Sequence, residues 1–139
     1  IAGRLKRQGG AFLIIDYGYT LPGLGSTLQA VKNHAVADPF ENPGEHDLTA
    51  HVNFLELVNL ARMRNLHVHG PVEQGVWLRS LGIDVRANTL SVASPERAEE
   101  IKSMRDRLVE PAQMGSLFKV LAITSEDWPS PEGFKVLPQ

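Results

Sequence analysis

The run from Gly9 to Tyr19, GGAFLIIDYGY, holds five uninterrupted apolar residues between a pair of glycines and an abrupt polar stop. Such a run is typical of a strand covered on both faces, as in parallel sheets flanked by helices. In open sheets of this kind, ligands bind at the carboxyl ends of the strands. We therefore expect a functional site at Asp16, Tyr17 and Gly18.

Length and composition exclude several classes of protein. The chain has 139 residues, 42% of them hydrophobic and 22% charged, which is the balance of one globular domain. Its net charge of −2 gives no electrostatic reason to expect nucleic acid or an anionic membrane surface as a partner. Cysteine is absent, so disulfides, thiolate zinc sites and a cysteine nucleophile are excluded. No stretch approaches the roughly 20 apolar residues of a membrane helix.

The first residues have the pattern of the end of a helix. The chain begins at Ile1, and residues 4–8 resemble the last turns of a helix whose start is not in the sequence. We expect a fragment. Two long connections, at 17–26 and 33–47, flank a short predicted strand at 27–31. Long ordered loops beside a strand end are often binding or lid elements.

The rest of the chain alternates between helix and strand. Asn53 with Glu56 predicts a capped helix to about Asn65. The elements expected after it are a strand at 66–69 closed by Gly70-Pro71, a helix at 73–81 stopped by Gly82, a helix begun by Ser94-Pro95-Glu96 and reaching Leu108, a central strand at 117–124, and a tail from Asp127 with little to bury. This order predicts an α/β layered fold, although three strands are too few for an independent doubly wound sheet. The missing strands should lie upstream.

Several segments together resemble one family. The chain resembles the carboxyl-terminal half of the MidA-like methyltransferases, which are relatives of a mitochondrial complex I assembly factor. The segments that carry the resemblance occur in the same order in both, and they are GGAFLIIDYGY, residues 27–31, Pro43-Gly44, residues 47–54, residues 81–83 and residues 114–120. The resemblance implies a class I, or Rossmann-like, fold that uses S-adenosylmethionine. It also implies methylation of a protein arginine on a respiratory complex I subunit, in the bacterial cytoplasm or the mitochondrial matrix.

The resemblance also assigns the elements. Residues 11–16 would be the fifth strand, 66–69 the sixth and 117–124 the antiparallel seventh, with a helical insertion at about 73–110. Residues 1–126 would then be the carboxyl-terminal half of the domain and 127–139 a proline-rich tail. The glycine-rich turn and the ribose-binding acid of this fold belong to the missing half, so we expect the cofactor-binding residues upstream and the fragment alone to be inactive.

The chemistry of methyl transfer suggests roles for the residues at the strand end. A carboxylate beside the attacking nitrogen can orient it and accept its proton, and Asp16 is the candidate catalytic residue. Its alternative is an Asx-type hydrogen bond that caps the following turn. Tyr17 and Tyr19 could form the wall of a pocket or simply pack, and Gly18 would permit close backbone approach or a positive φ.

A second cluster lies before the predicted helix. Asp47, Thr49 and His51 could contact the target arginine from a closing loop, and Gln29 could belong to the same wall. The alternative is that Asp47 and Thr49 satisfy backbone amides at the helix entry. Lys119, inside an apolar strand, should snorkel or pair with a carboxylate in a structural role.

Other activities are disfavoured. His67 and His69 share a strand face but have no evident third ligand, so we expect no metal. Neither a phosphate-binding loop nor a Gly-x-Ser-x-Gly elbow is present. The remaining alternative to an enzyme is a non-catalytic binding or assembly module. Because an apolar strand without its neighbours exposes an edge, we also expect the isolated piece to aggregate or to form a homodimer.

Overall fold

The computed structural model describes residues 1–21, 23, 25–33 and 35–134, so Pro22 and Leu24 of the first predicted loop, His34 of the second, and residues 135–139 of the tail lie outside it. The elements along the chain are α1 (Ala2–Gln8), β1 (Ala11–Tyr19), β2 (Gln29–Lys32), β3 (Ala35–Ala37), β4 (Asp47–Thr49), β5 (Val52–Asn53), α2 (Phe54–Met63), β6 (His67–Glu73), α3 (Gln74–Ser80), α4 (Ile83–Ala93), α5 (Ala98–Val109) and β7 (Phe118–Thr124). A 3₁₀ turn, Pro95–Arg97, precedes α5, and a π-type turn, Pro111–Gly115, follows it.

The main sheet has four strands in the order β5-β1-β7-β6. Strand β7 lies between β1 and β6 and is antiparallel to both, which confirms the prediction of a central, antiparallel last strand. Strand β5 pairs in parallel with only the last residues of β1, Gly18 and Tyr19. Among the described residues, the outer side of β1 from Ala11 to Tyr17 therefore has no partner strand.

One face of this sheet carries the hydrophobic core. Helix α2 and Leu5 of α1 pack against Leu121 and Ile123 of β7, and Phe54 of α2 is completely buried. Phe12 and Ile14 of β1 lie against the same cluster. Burial of one such large apolar side chain contributes roughly 1.5–3 kcal/mol to folding.

The other face of β1 is bare, so the prediction of a strand covered on both faces is wrong for the described part of the chain. Leu13 and Ile15 remain 47% and 43% exposed, whereas their cross-strand partners Ala122 and Val120 are buried. Helix α3 contacts β6 and β7 but makes no comparable contact with β1 among the described residues. Along most of β1, more exposed and less exposed side chains consequently alternate, as the pleat of the strand requires.

The sequence signals for α2 are confirmed at its start. The Asn53 side chain accepts a hydrogen bond from the Glu56 amide at 3.1 Å, as an N-cap should. The prediction that Gly70-Pro71 ends the next strand is wrong. Strand β6 continues to Glu73, because a register irregularity between His69 and Val72 takes up the Gly-Pro pair.

The helices α3, α4 and α5, which lie between β6 and β7 in the chain, pack against one another. Both predicted features are confirmed: α3 ends before Gly82, and the start predicted at Ser94-Pro95-Glu96 is the 3₁₀ turn that leads into α5. Arg105 joins α4 to α5, because its guanidinium bonds Asp84 of α4 and Asp106 beside it on α5. No helix in the described ranges is both long and apolar enough to span a membrane.

A second, three-stranded antiparallel sheet, in the order β3-β2-β4, lies between β1 and β5 in the chain. The strand predicted at 27–31 is confirmed as β2, shifted by one or two residues. The prediction of an unbroken connection at 33–47 is wrong, because β3 pairs with β2 inside it. Three-residue strands are too short to give a periodic signal.

The start of the tail is better packed than predicted. Phe134 lies beside the rings of His69 and Trp77, with ring centroids 6.2 and 6.1 Å apart. The Ser80 hydroxyl donates a hydrogen bond to the Gly133 carbonyl at 2.9 Å. The described part of the tail therefore lies against α3 and β6, contrary to the expectation that it buries little.

Candidate functional site

The carboxyl end of β1 presents two different surfaces. Asp16 lies opposite Lys119 and Tyr17 lies opposite Phe118, and all four belong to the β1–β7 ladder. Because successive strand residues point to opposite faces, the carboxylate and the phenol lie on opposite sides of the sheet. The sequence prediction grouped Asp16 and Tyr17 at one strand end without making this distinction.

An aromatic cluster forms on the Tyr17 side. The Tyr17 ring contacts Phe118 edge-on at a centroid distance of 5.6 Å and His51 at 5.8 Å. The structure thus brings His51, from the segment after β4, to the end of β1. Sequence reasoning missed Phe118, because its place in an apolar strand carries no signal beyond packing.

On the Asp16 side, three charged residues form a row across three strands. Lys119 of β7 is in register with Asp16 of β1 and with Glu73 of β6. The Lys119 ammonium donates to the Ser116 carbonyl, and the Ser116 hydroxyl donates to the Glu73 carboxylate at 2.7 Å. Glu73 was not predicted as a site residue, since only the strand register shows that it belongs to this row.

The Asp16 carboxylate has few partners. Its Oδ1 accepts a hydrogen bond from the Tyr17 amide at 2.8 Å. The chain continues as strand to Tyr19, so this bond does not cap a turn. None of the ion pairs within the described residues includes Asp16. An acceptor oxygen on this half-buried side chain is therefore free to meet a donor from a substrate.

Gly18 and Tyr19 pair with β5. A Cβ on Gly18 would lie 2.2 Å from the Val52 carbonyl oxygen and 2.7 Å from the Phe54 ring. The glycine has an ordinary negative φ, so its role in the structure is close backbone approach. Tyr19 lies half-buried opposite Asn53.

The predicted residues of the second cluster lie mainly on the small sheet. Gln29 is directly opposite Thr49, and Asp47 is opposite Val31, so these side chains share one face. The helix entry is capped by Asn53 instead of by Asp47 or Thr49. His51 is attached to the base of this sheet, because its amide donates to the Thr27 hydroxyl at 3.1 Å.

The histidines of β6 lie away from this edge. The His69 ring is 3.3 Å from the Thr124 hydroxyl, and burial, followed by the nearby charge of His67, lowers the pKa of His69. Within the described ranges, no group of three His, Asp or Glu side chains is arranged to hold a metal ion.

The described residues leave this edge of the main sheet open. The outer side of β1 lacks a strand partner among the described residues from Ala11 to Tyr17, and the Leu13–Ile15 face is open. An apolar cavity of about 340 Å³ lies elsewhere, between α4 and α5. The described groups therefore do not by themselves fit S-adenosylmethionine.

The architecture defines a class of protein. An α/β sheet with an antiparallel last strand inserted between its neighbours, and a carboxylate and aromatic rings at the end of β1, is the carboxyl-terminal part of a class I methyltransferase sheet. Residues 1–72 match the family described as "Putative S-adenosyl-L-methionine-dependent methyltransferase", and the chain belongs to this family.

Curated relatives of the chain are mitochondrial proteins. It is 42% identical over 125 residues to the protein arginine methyltransferase NDUFAF7 homolog of Drosophila melanogaster, covering 88% of this chain and 28% of that protein. To human protein arginine methyltransferase NDUFAF7 it is 33% identical, covering 86% of this chain and 27% of the relative. The chain thus spans little more than a quarter of their length.

Two solved structures from Burkholderia thailandensis share the fold. One superposes with a TM-score of 0.76 at 26% identity and covers 93% of this chain and 34% of its own. The other, solved bound to S-adenosyl-homocysteine, has a TM-score of 0.73 at 26% identity and covers 91% of this chain and 33% of its own. The cofactor of the family is S-adenosylmethionine.

Proposed function

We propose that the full-length protein carrying this chain is an S-adenosylmethionine-dependent methyltransferase acting on an arginine of a protein. The carrying observation is that Asp16, at the end of β1 in a chain of this family, has a carboxylate without an ion-pair partner among the described residues. The arginine acceptor is supported by the names of the relatives, which are protein arginine methyltransferases.

Asp16 is the proposed catalytic residue. When S-adenosylmethionine is bound by the whole protein, it supplies the methyl group on a sulfonium. Methylation of a guanidinium group would require the attacking nitrogen to be oriented and to lose one proton. The Asp16 carboxylate orients the nitrogen by accepting its hydrogen bond and then takes the proton.

The substrate wall continues from this edge to the small sheet. Tyr17 and His51 form its aromatic part, and their contact is already made in the structure. The other proposed substrate-binding residues are Gly18, which sets the spacing of β1 and β5, together with Tyr19, Gln29, Asp47 and Thr49. A long protein substrate could cross both surfaces, because residues 50–51 connect β4 directly to β5.

The proposed partner comes from the family resemblance, and the relatives support a mitochondrial compartment. We propose a respiratory complex I subunit as the substrate protein, in the mitochondrial matrix of a eukaryote or in the cytoplasm of a bacterium. The support is that curated relatives are mitochondrial. A homodimer remains a proposal for the isolated piece, supported by the open outer side of β1.

Cofactor binding and methyl transfer test the proposed function directly. The full-length protein should bind S-adenosylmethionine in a calorimetric titration, and mass spectrometry should find methylated arginine in a complex I subunit after incubation with both. S-adenosyl-homocysteine should compete with the cofactor. Absence of both binding and methylation would instead favour the non-catalytic assembly module.

A substitution at Asp47 separates substrate binding from cofactor binding. We expect Asp47→Asn in the full-length enzyme to raise the KM for the protein substrate about tenfold, since one carboxylate acceptor for a cation is removed. The dissociation constant of S-adenosylmethionine, measured by calorimetry, should stay within about twofold. Equal changes in both quantities would show that Asp47 has only a structural role.

A further inference from the structure

The small sheet with its connections, residues 27–33 and 35–51, forms an arm on the main body. The closest packing of β2 is with β3 and β4, and the base of the arm is attached through the Thr27–His51 hydrogen bond. Its side chains leave apolar surface in solvent, because Val36 is 85% and Phe40 81% exposed. Large apolar side chains that are exposed on one segment are candidates for an interaction surface.

The arm also concentrates negative charge. Lys32 is its one lysine, against four carboxylates, whereas the whole chain has a net charge of only −2. Glu45 is neutralised by Lys32, with the carboxylate and ammonium 2.6 Å apart. The other three carboxylates have no ion-pair partner among the described residues, and they are those of Asp38, Glu41 and Asp47.

We propose that the arm is a docking surface for a basic, extended segment of the substrate protein. This inference rests on the proposed function and names the partner's chemistry. Arginine and lysine side chains complement the unpaired carboxylates, and apolar side chains of the same segment would cover Val36 and Phe40. Strands β3 and β4 are the outer strands of the arm, so an extended segment can pair with either edge.

The position of the arm connects docking to the chemistry. The chain passes from β4 through His51, whose ring contacts Tyr17 at the end of β1. A basic segment held along the arm therefore leads toward the edge that carries Asp16. The arm adds affinity for a protein substrate and does not alter the transfer step, so its loss changes KM more than kcat.

Binding of a peptide to the full-length protein tests this inference. The probe is a fluorescein-labelled peptide of alternating arginine and valine, measured by fluorescence anisotropy, with a glutamate-for-arginine peptide as its control. Asp38→Asn with Glu41→Gln should raise the Kd about tenfold, and Phe40→Ser should do so separately. The Oδ1 atom of Asp38 accepts a hydrogen bond from the Phe40 amide at 2.8 Å. Asparagine keeps this oxygen, so we expect the turn to be retained.

The matched control removes the same amount of charge elsewhere. Glu96→Gln with Glu99→Gln lies on the exposed insertion and should leave the Kd within about twofold. Raising the ionic strength from about 0.01 M to about 0.15 M, which shortens the Debye length from about 30 to about 8 Å, should weaken binding to the wild type. Affinity unaffected by the arm variants, or lowered equally by the control, would overturn the inference.

The binding experiment is independent of the proposed reaction. The binding assay contains no cofactor and measures no catalysis. Peptide binding that depends on the arm, together with an absence of methylation, would contradict the proposed function and still support the docking surface. Methylation by the wild type, together with an unchanged peptide affinity in the arm variants, would support the proposed function and contradict the docking surface. Circular dichroism of each variant should match the wild type, and a variant that fails this check is replaced by Val36→Thr at the neighbouring apolar position.

Discussion

Replacing Asp16 by asparagine in the full-length enzyme should lower kcat by about 100- to 10,000-fold, the range that a positioned general base contributes. The substitution keeps an oxygen that can accept the Tyr17 amide, so the hydrogen bond at 2.8 Å and the local strand should persist. What is lost is the charge and the basicity that the attacking guanidinium nitrogen requires. Single-turnover methyl transfer, followed with labelled cofactor, measures the effect without product release.

Two controls make the Asp16 result specific. Asp127→Asn changes an exposed aspartate in the tail and should leave kcat unchanged within about twofold. Calorimetry should give the same affinity for S-adenosylmethionine in Asp16→Asn as in the wild type. If the Asp16 variant transfers methyl groups at the normal rate, the proposed catalytic role is wrong.

The elements with strong local signals could be predicted from sequence. The apolar run of β1, the Asn53 cap of α2 and the apolar strand β7 are each specified by residues next to one another in the chain. Such signals depend on short-range physics, namely caps, turns and hydrophobic patterns. The residues that carry them also carry the family resemblance.

The features that sequence could not give depend on register or on distant packing. The arm contains three-residue strands whose stability comes from pairing with β2, not from their own pattern. The row of Asp16, Lys119 and Glu73 exists only because β1, β7 and β6 align at those positions. One residue of slippage would move each side chain to the other face.

Alternation at the strand end separates two proposed tasks. Asp16 lies on the face of β1 that also carries Ile14 and the core, where its carboxylate is half-buried and held by a backbone amide. Tyr17 lies on the opposite face, where His51 and Phe118 surround its ring. If the proposed substrate lies along the Tyr17 surface, its arginine must pass the edge of the sheet to reach Asp16, since the strand itself separates the two surfaces.

Gly18 allows β1 and β5 to pair closely. We expect Gly18→Ala to lower the free energy of unfolding by about 3 kcal/mol, at the upper end of the cost of overpacking. The added methyl would lie 2.2 Å from the Val52 carbonyl oxygen and 2.7 Å from Phe54, which is completely buried. Since the closest atom is backbone, β5 must move away from β1, and His51 precedes that strand. The KM for the protein substrate should rise as well, because the Tyr17–His51 contact depends on this spacing.

The matched control is Gly23→Ala, where the new methyl would meet no atom of the described residues within 4 Å. It should change the free energy of unfolding by less than about 0.5 kcal/mol. Urea denaturation of the full-length protein with and without each substitution measures the difference, and the slope of the transition should stay constant. If Gly18→Ala is as stable as Gly23→Ala, β1 and β5 are not in close contact and His51 is not held at the end of β1 by their pairing.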